Sequence, residues 1–298
     1  MALPRDPLRL ALQVLLYIFL YVAAAFVLGS VLELTGAYLF AITVTGLLAA
    51  TVANGLCMRI YEQRRTAAIG LHWDRASLAN LGYGCLGGAG AAAVVLALPV
   101  AVHAARIAPD PSSDASVAQF FFVTLMLLFG SAGEEMLFRG YGFQVLVRGV
   151  GGWATVLPVG LIFGALHAAN PYASRLSVAN TMGFGIVFGY AFLRSRDLWL
   201  PIGLHFGWNF TLPLFGVNVS GLTMRLTDLS MKWSAGTLWS GGEYGPEASI
   251  LTSAVLVLLL AYVWKAPIRR QPSVLLDPPS EVTCEPGQPL SPFSGLRS

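Results

Sequence analysis

Runs of about twenty apolar residues, broken by short polar segments, recur along the chain, and that length matches the hydrocarbon core of a bilayer. Eight such runs can be drawn, at about 10–32, 37–58, 81–103, 118–138, 153–170, 176–193, 198–216 and 248–264. The pattern predicts an all-α, polytopic integral membrane protein with about eight transmembrane helices. No soluble domain and no internal repeat is visible between them. The first run follows Arg5 and Arg9 in the manner of a signal peptide, but it exceeds the usual apolar length and a second run follows at once, which favours a retained helix. The longest connection covers 217–247. Beyond Pro267 the chain is rich in Pro and Ser, so 1–265 reads as one helical membrane domain and 266–298 as a disordered cytoplasmic tail.

Composition supports this reading. Of the 298 residues 56% are hydrophobic and only 11% charged, where a soluble domain has roughly a quarter charged. The net charge of +3 is dispersed, with no basic stripe of interleaved aromatics, which argues against a nucleic-acid partner. Cys57, Cys85 and Cys284 stand far apart without metal-type spacing, so neither a disulfide framework nor a cysteine metal site is expected. Lys and Arg are divided unevenly: if the N-terminus is cytoplasmic, 14 lie on the inner segments and only Arg106, Arg175, Arg225 and Lys232 on the outer ones. The positive-inside rule then places both termini in the cytoplasm. The Ala- and Gly-rich composition suits a bacterial inner membrane. Gly84 and Gly88, and likewise Gly185 and Gly189, are spaced four apart, as in helices that approach closely.

Against this background the ionisable groups inside the apolar runs are conspicuous, since each costs about 2.5–3.5 kcal/mol at a helix centre on insertion scales. They are Glu134, Glu135 and Arg139 in the fourth run, His167 in the fifth and His205 in the seventh, where the amide of Asn209 joins them. Adjacent residues on a helix are rotated by about 100°, so the two glutamates face different surroundings. Glu135 precedes Arg139 by four residues, the favourable order for an ion pair. Glu134 is left without a local counter-charge, and a carboxylate in an apolar wall can serve as a general base. Phe163 lies one turn before His167, and Asn209 one turn after His205. Imidazoles with a carboxylate and an amide suit either water activation or a zinc site. His72 and His103 fall in polar or helix-end positions and read as surface groups. Neither HExxH nor GxSxG occurs.

Taken together, Glu134-Glu135-Met-Leu-Phe-Arg139, Phe163-Gly-Ala-Leu-His167 and His205-Phe-Gly-Trp-Asn209 resemble the motifs EExxxR, FxxxH and HxxxN of the intramembrane CPBP proteases, which include the type II CAAX prenyl endopeptidases and the Abi proteins. The resemblance covers about 118–216. It implies that Glu134 and His167 activate a water, that His205 and Asn209 stabilise the oxyanion, and that Glu135, Arg139 and Phe163 support them. It leaves the metal question open: Glu134, His167 and His205 could ligate Zn²⁺, or the chemistry could be metal-free. The expected function is an intramembrane endopeptidase acting on a membrane-bound or lipidated, CAAX-like peptide near the cytoplasmic face, with membrane lipids as its other partners. A non-catalytic membrane scaffold or immunity protein of the same fold is the alternative, and a proton-coupled transporter is disfavoured by the lack of repeats. Helix counting raises one difficulty: at about 1.5 Å per residue, His167 lies much deeper than His205 if both helices start at the same membrane surface.

Overall fold

The computed structural model describes residues 6–111 and 115–277. It is built almost wholly from helices: α1 (Pro7–Leu32), α2 (Tyr38–Cys57), α3 (Arg75–Ala101), α4 (Val117–Arg139), α5 (Tyr141–Val150), α6 (Gly152–Leu166), α7 (Arg175–Ser195), α8 (Trp199–Thr211), the single-turn α9 (Thr237–Ser240) and α10 (Ile250–Lys265). Short polar side chains set several starts by accepting from the orphan amides of the first turn. Asp6 caps α1, Asp74 caps α3, Ser116 caps α4 and Ser249 caps α10, while Ser174 and Ser177 form a reciprocal capping box on α7.

Six helical segments among the described residues are long and apolar enough to cross a membrane, and their exposed Leu, Ile, Val and Phe side chains suit a lipid-facing surface. They correspond to the first six expected runs. The last two differ. The run at 198–216 yields the 13-residue α8 followed by a 3-10 turn at Pro213–Phe215, and the run at 248–264 yields the 16-residue α10. The shortness of α8 has a physical reason. Nine of its residues are buried, as are Asp197 and Leu198 before it, so its ends abut protein and need not reach the headgroups. All-helical is also slightly too simple. β1 (Ala105–Pro109) and β2 (Leu229–Trp233) form a two-stranded antiparallel sheet, pairing Ala105 with Trp233 and Pro109 with Leu229. Partners so far apart in sequence leave no local hairpin signal.

Helix contacts are made through glycine. Gly84 and Gly88 of α3 face Gly203 and Gly207 of α8 so tightly that a Cβ on Gly88 would lie 2.0 Å from the Leu204 carbonyl oxygen, and one on Gly207 2.4 Å from that of Cys85. The backbones meet because no side chain separates them. A Cβ on Gly185 of α7 would likewise lie 2.8 Å from Gly160 of α6, and one on Gly189 3.2 Å from Val156.

Two ends of the bundle can be distinguished by what is tied to what. At one end the loops around 102–111, 167–174 and 212–249 are joined by the β1–β2 ladder, by Arg225 to Asp110 at 2.7 Å and by Asn170 to the Ser220 carbonyl at 3.2 Å. At the other, Leu198 donates to the Gly70 carbonyl, Arg148 pairs with Glu62 at 3.2 Å, and residues 266–277 pack back onto the bundle. In that last stretch Arg269 N donates to Asn80, Gln271 N to the Ser195 carbonyl, and Leu275 is buried. The start of the expected tail is therefore docked. Its remainder from 278, with Cys284, lies outside the described residues, as does Arg5. Cys57 is buried and Cys85 half-buried, both as free thiols.

Candidate active site

The Glu134–Glu135 pair ends α4, and the geometry there is fixed by Gly140. A Cβ at Gly140 would fall 2.2 Å from both Asn54 Oδ1 and the Met136 carbonyl oxygen, so only glycine lets α5 turn away directly. Asn54 of α2 bridges the break, accepting from Tyr141 N at 2.7 Å and donating to the Met136 carbonyl at 3.0 Å. The result holds the last turns of α4 deep among α2, α7 and α8.

Glu135 is fully buried. It lies 3.1 Å from Nη1 of Arg139, also fully buried, and 3.0 Å from Nδ1 of His205. Arg139 donates from Nη2 to the Gly185 carbonyl at 2.7 Å and lies over the rings of Phe138, Phe163 and Phe188, with the Phe163 centroid 5.0 Å away. The four-residue spacing of the sequence is realised as a buried ion pair, and an imidazole completes it. Such a pair is weak support for stability in itself, but removing one member leaves an uncompensated charge.

Glu134 points the other way. Its side chain is 41% exposed, yet its Oε2 is shielded from solvent and has no hydrogen-bond partner among the described residues. That oxygen lies 3.9 Å from Nε2 of His167 and 4.0 Å from Nε2 of His205. The other nitrogen of each ring is engaged: His167 Nδ1 with the Phe163 carbonyl at 2.7 Å, His205 Nδ1 with Glu135. Both partners are acceptors, so each Nδ1 carries a proton, and in a neutral ring Nε2 presents its lone pair toward Glu134. Phe163 itself is buried, with its ring centroid 4.7 Å from that of His167 and 6.1 Å from that of His205. The His205 ring stacks on Phe188 at 5.1 Å.

Glu134, His167 and His205 line one cavity of about 250 Å³ together with Asn209, Tyr21, the first half of α2 and residues from 219–224. Six of the seven candidate residues are thus in direct contact or hydrogen-bond relay, and Asn209 shares the cavity. His72 and His103 stand at opposite ends of the bundle, away from it. The depth difficulty disappears because both histidines lie about 4 Å from Glu134, with α8 starting at the buried Leu198, tied to Gly70.

Sequence reasoning missed Glu247. It is buried between α8 and the 3-10 turn Pro246–Ala248, and lines a small recess with His167, His205, Asn209 and Ser220. Its carboxylate accepts from Trp208 Nε1 at 3.2 Å, from Ser220 Oγ at 3.0 Å and from Ser220 N. Burial pushes its pKa up, and the Ser220 donors oppose that. The only sequence hint was an acid at the edge of the last apolar run.

As a metal site the cluster fits poorly. Zinc held at about 2.0–2.2 Å by tetrahedral donors puts them about 3.3–3.6 Å apart, whereas Glu134 Oε2 is 3.9 and 4.0 Å from the two ring nitrogens. No group of three or more His, Cys, Asp or Glu side chains among the described residues is arranged to hold an ion. Separations near 4 Å are instead those spanned by one bridging water.

Long apolar helices around a carboxylate–imidazole cluster mark a multi-pass integral membrane protein. Residues 116–211 match the family model described as type II CAAX prenyl endopeptidase Rce1-like, about a third of the chain and the stretch that carries all three motifs. The resemblance to the CPBP/CAAX protease family is borne out over that stretch. A comparison with curated proteins found no match.

Proposed function

We propose that the protein is an intramembrane endopeptidase that hydrolyses a peptide bond of a membrane-bound or lipidated, CAAX-like substrate. The observation that carries this reading is the buried, unpartnered Oε2 of Glu134 set about 4 Å from two imidazole nitrogens. A carboxylate oxygen kept from solvent, without a donor and facing two imidazoles, has surroundings that suit a general base.

The chemistry then follows from the positions. A water held between Glu134 Oε2 and His167 Nε2 gives a proton to Glu134 as its oxygen attacks the substrate carbonyl. His167 is oriented by its Nδ1–H on the Phe163 carbonyl. The tetrahedral oxyanion is met by the amide of Asn209 and by His205, which donates from Nε2 when its ring carries both protons; Glu135 against Nδ1 balances that charge. Collapse breaks the C–N bond, and the proton on Glu134 passes to the leaving amine. Preorganised donors of this kind are usually the largest single contribution to acyl-transfer rates. No step needs a metal.

The test is a comparison of protein termini in the membranes of two strains, one carrying the wild-type chain and one Glu134→Gln at equal expression. New termini that vanish in the variant establish a protease and name its substrate. Identical termini, with both chains inserted, would move the reading to a non-catalytic membrane scaffold.

A further inference from the structure

The cavity is sealed at one end of the bundle and lined by loops at the other. Toward the end that carries residues 58–74 and 140–151, the lining reaches Glu134, while Glu135, Arg139, Tyr141 and Gln144 beyond it are wholly buried and do not line the cavity. Gln144 closes that end further by donating to the carbonyls of Ile69 and Arg139. Arg139 is the last residue of α4, so even that helix end is covered. Toward the opposite end the walls are Asn170 and the loop Val219–Met224. On α2 the lining residues Leu39, Ile42, Thr43 and Gly46 all fall in the half nearest the same end.

That loop is anchored at the rim rather than loosely draped. Ser220 adopts a left-handed backbone (φ 50°), and its N–H and hydroxyl both donate to Glu247. Asn170, directly after the turn that carries His167, donates to the Ser220 carbonyl, and Gly221 N donates to that of Tyr244. A Cβ at Gly221 would sit 2.1 Å from the Pro171 carbonyl oxygen. The loop and the His167 turn therefore form one rim around the opening.

The two ends differ in charge. Counting over the described residues, the sealed end carries eleven Lys and Arg besides the buried Arg139, among them Arg64, Arg65 and Arg148, whereas the rim end carries Arg106, Arg175, Arg225 and Lys232. Cationic loops stay in the cytoplasm. We infer that the catalytic cavity opens on the non-cytoplasmic side of the membrane, and that its substrate is a membrane-anchored peptide whose scissile bond emerges on that side. The inference departs from the expectation of cleavage near the cytoplasmic face. The substrate half of the inference rests on the protease reading above; the sidedness does not.

Thiol labelling separates the two. Thr223→Cys on the rim and Ala67→Cys at the sealed end, both exposed positions, are each expressed in bacterial cells. Sealed spheroplasts are treated with a membrane-impermeant maleimide, and labelled peptides are mapped by mass spectrometry. An abundant cytosolic protein that stays unlabelled certifies the seal. Labelling of Thr223→Cys in sealed spheroplasts, with Ala67→Cys reacting only after detergent, is expected; the reverse pattern overturns the inference. The position of Glu134-dependent termini tests the rest. Termini in exported flanks of membrane-anchored proteins support it, and termini in cytosolic flanks overturn it. If no termini depend on Glu134, the substrate half falls with the protease reading, while the labelling still decides the side.

Discussion

Glu134 and Glu135 are neighbours in sequence with opposite surroundings: Glu135 is held 3.1 Å from Arg139 and 3.0 Å from His205, while Glu134 Oε2 has no hydrogen-bond partner among the described residues. On the proposed reading one carboxylate is committed to structure and the other serves as general base. Glu134→Gln should therefore lower turnover by about 10²–10⁴-fold, the usual contribution of a general base. Its thermal midpoint in detergent should stay near that of the wild type, because no bond is lost. Retention of a tenth of the activity would sink the assignment.

The partner residue should behave in the opposite way. Glu135→Ala leaves the guanidinium of Arg139 buried without a counter-charge, a loss of about 3–5 kcal/mol for such pairs. The check is unfolding in detergent, with Glu135→Met/Arg139→Met alongside. The double variant should recover part of the stability while remaining inactive, since His205 has lost its orienting carboxylate. A single variant as stable as the wild type would contradict the burial described here.

Asn209 lines the cavity beside His205, and in the proposed mechanism its amide donates to an oxyanion that exists only in the transition state. Asn209→Ala should reduce kcat by about 10²–10³-fold, as for other oxyanion donors, with KM nearly unchanged. A rise in KM at constant kcat would instead assign Asn209 to substrate binding.

Glycine positions along α3 make a controlled pair. Gly88→Ala should destabilise the bundle, since the new Cβ would meet the Leu204 carbonyl at 2.0 Å, and overpacking typically costs about 1–3 kcal/mol. It should also disturb the site, because α8 carries His205 and Asn209. Gly82 has nothing within 4 Å of such a Cβ, so Gly82→Ala should be neutral or gain up to about 1 kcal/mol of helix propensity. Equal thermal midpoints for the two variants would argue against the close α3–α8 approach.

Asp197, in the link between α7 and α8, gives a pH dependence with a definite sign. Burial raises its pKa to about 6, offset in part by hydrogen bonds from Asn80 and Leu200 N. A raised folded-state value means that its favourable contribution is present below the ordinary 3.8 and is lost as pH rises through about 6. Over that window the loss is on the order of 3 kcal/mol. Comparing thermal midpoints at pH 4.5 and 7.5, Asp197→Asn should gain on the wild type at the higher pH. A gap that does not change with pH would rule this out.

Much of the molecule was legible because its signals are local. Hydropathy over twenty residues located the first six helices, and Gly84 with Gly88 announced a close helix contact before its partner was known. The i,i+4 spacing of Glu135 and Arg139 requires nothing beyond helix geometry. Glu247 and Ser220 were illegible for the converse reason: they reach the His167 recess only through the folding of the long 212–249 loop, and no periodicity records that. The β1–β2 pairing was hidden in the same way.

By itself the sequence determined the membrane character, the helical class and the residue types able to do hydrolytic chemistry, since these depend on composition, apolar run length and spacing within one helix. Only the tertiary structure decided that Glu134, His167 and His205 converge within about 4 Å, that α8 is short and buried, and which end of the cavity is closed. Those features depend on how deeply each helix sits and on which loops fold over its ends. Depth and closure are set by contacts between residues distant in the chain, above all the glycine-mediated approach of α3 to α8 and the packing of α5 beneath α4.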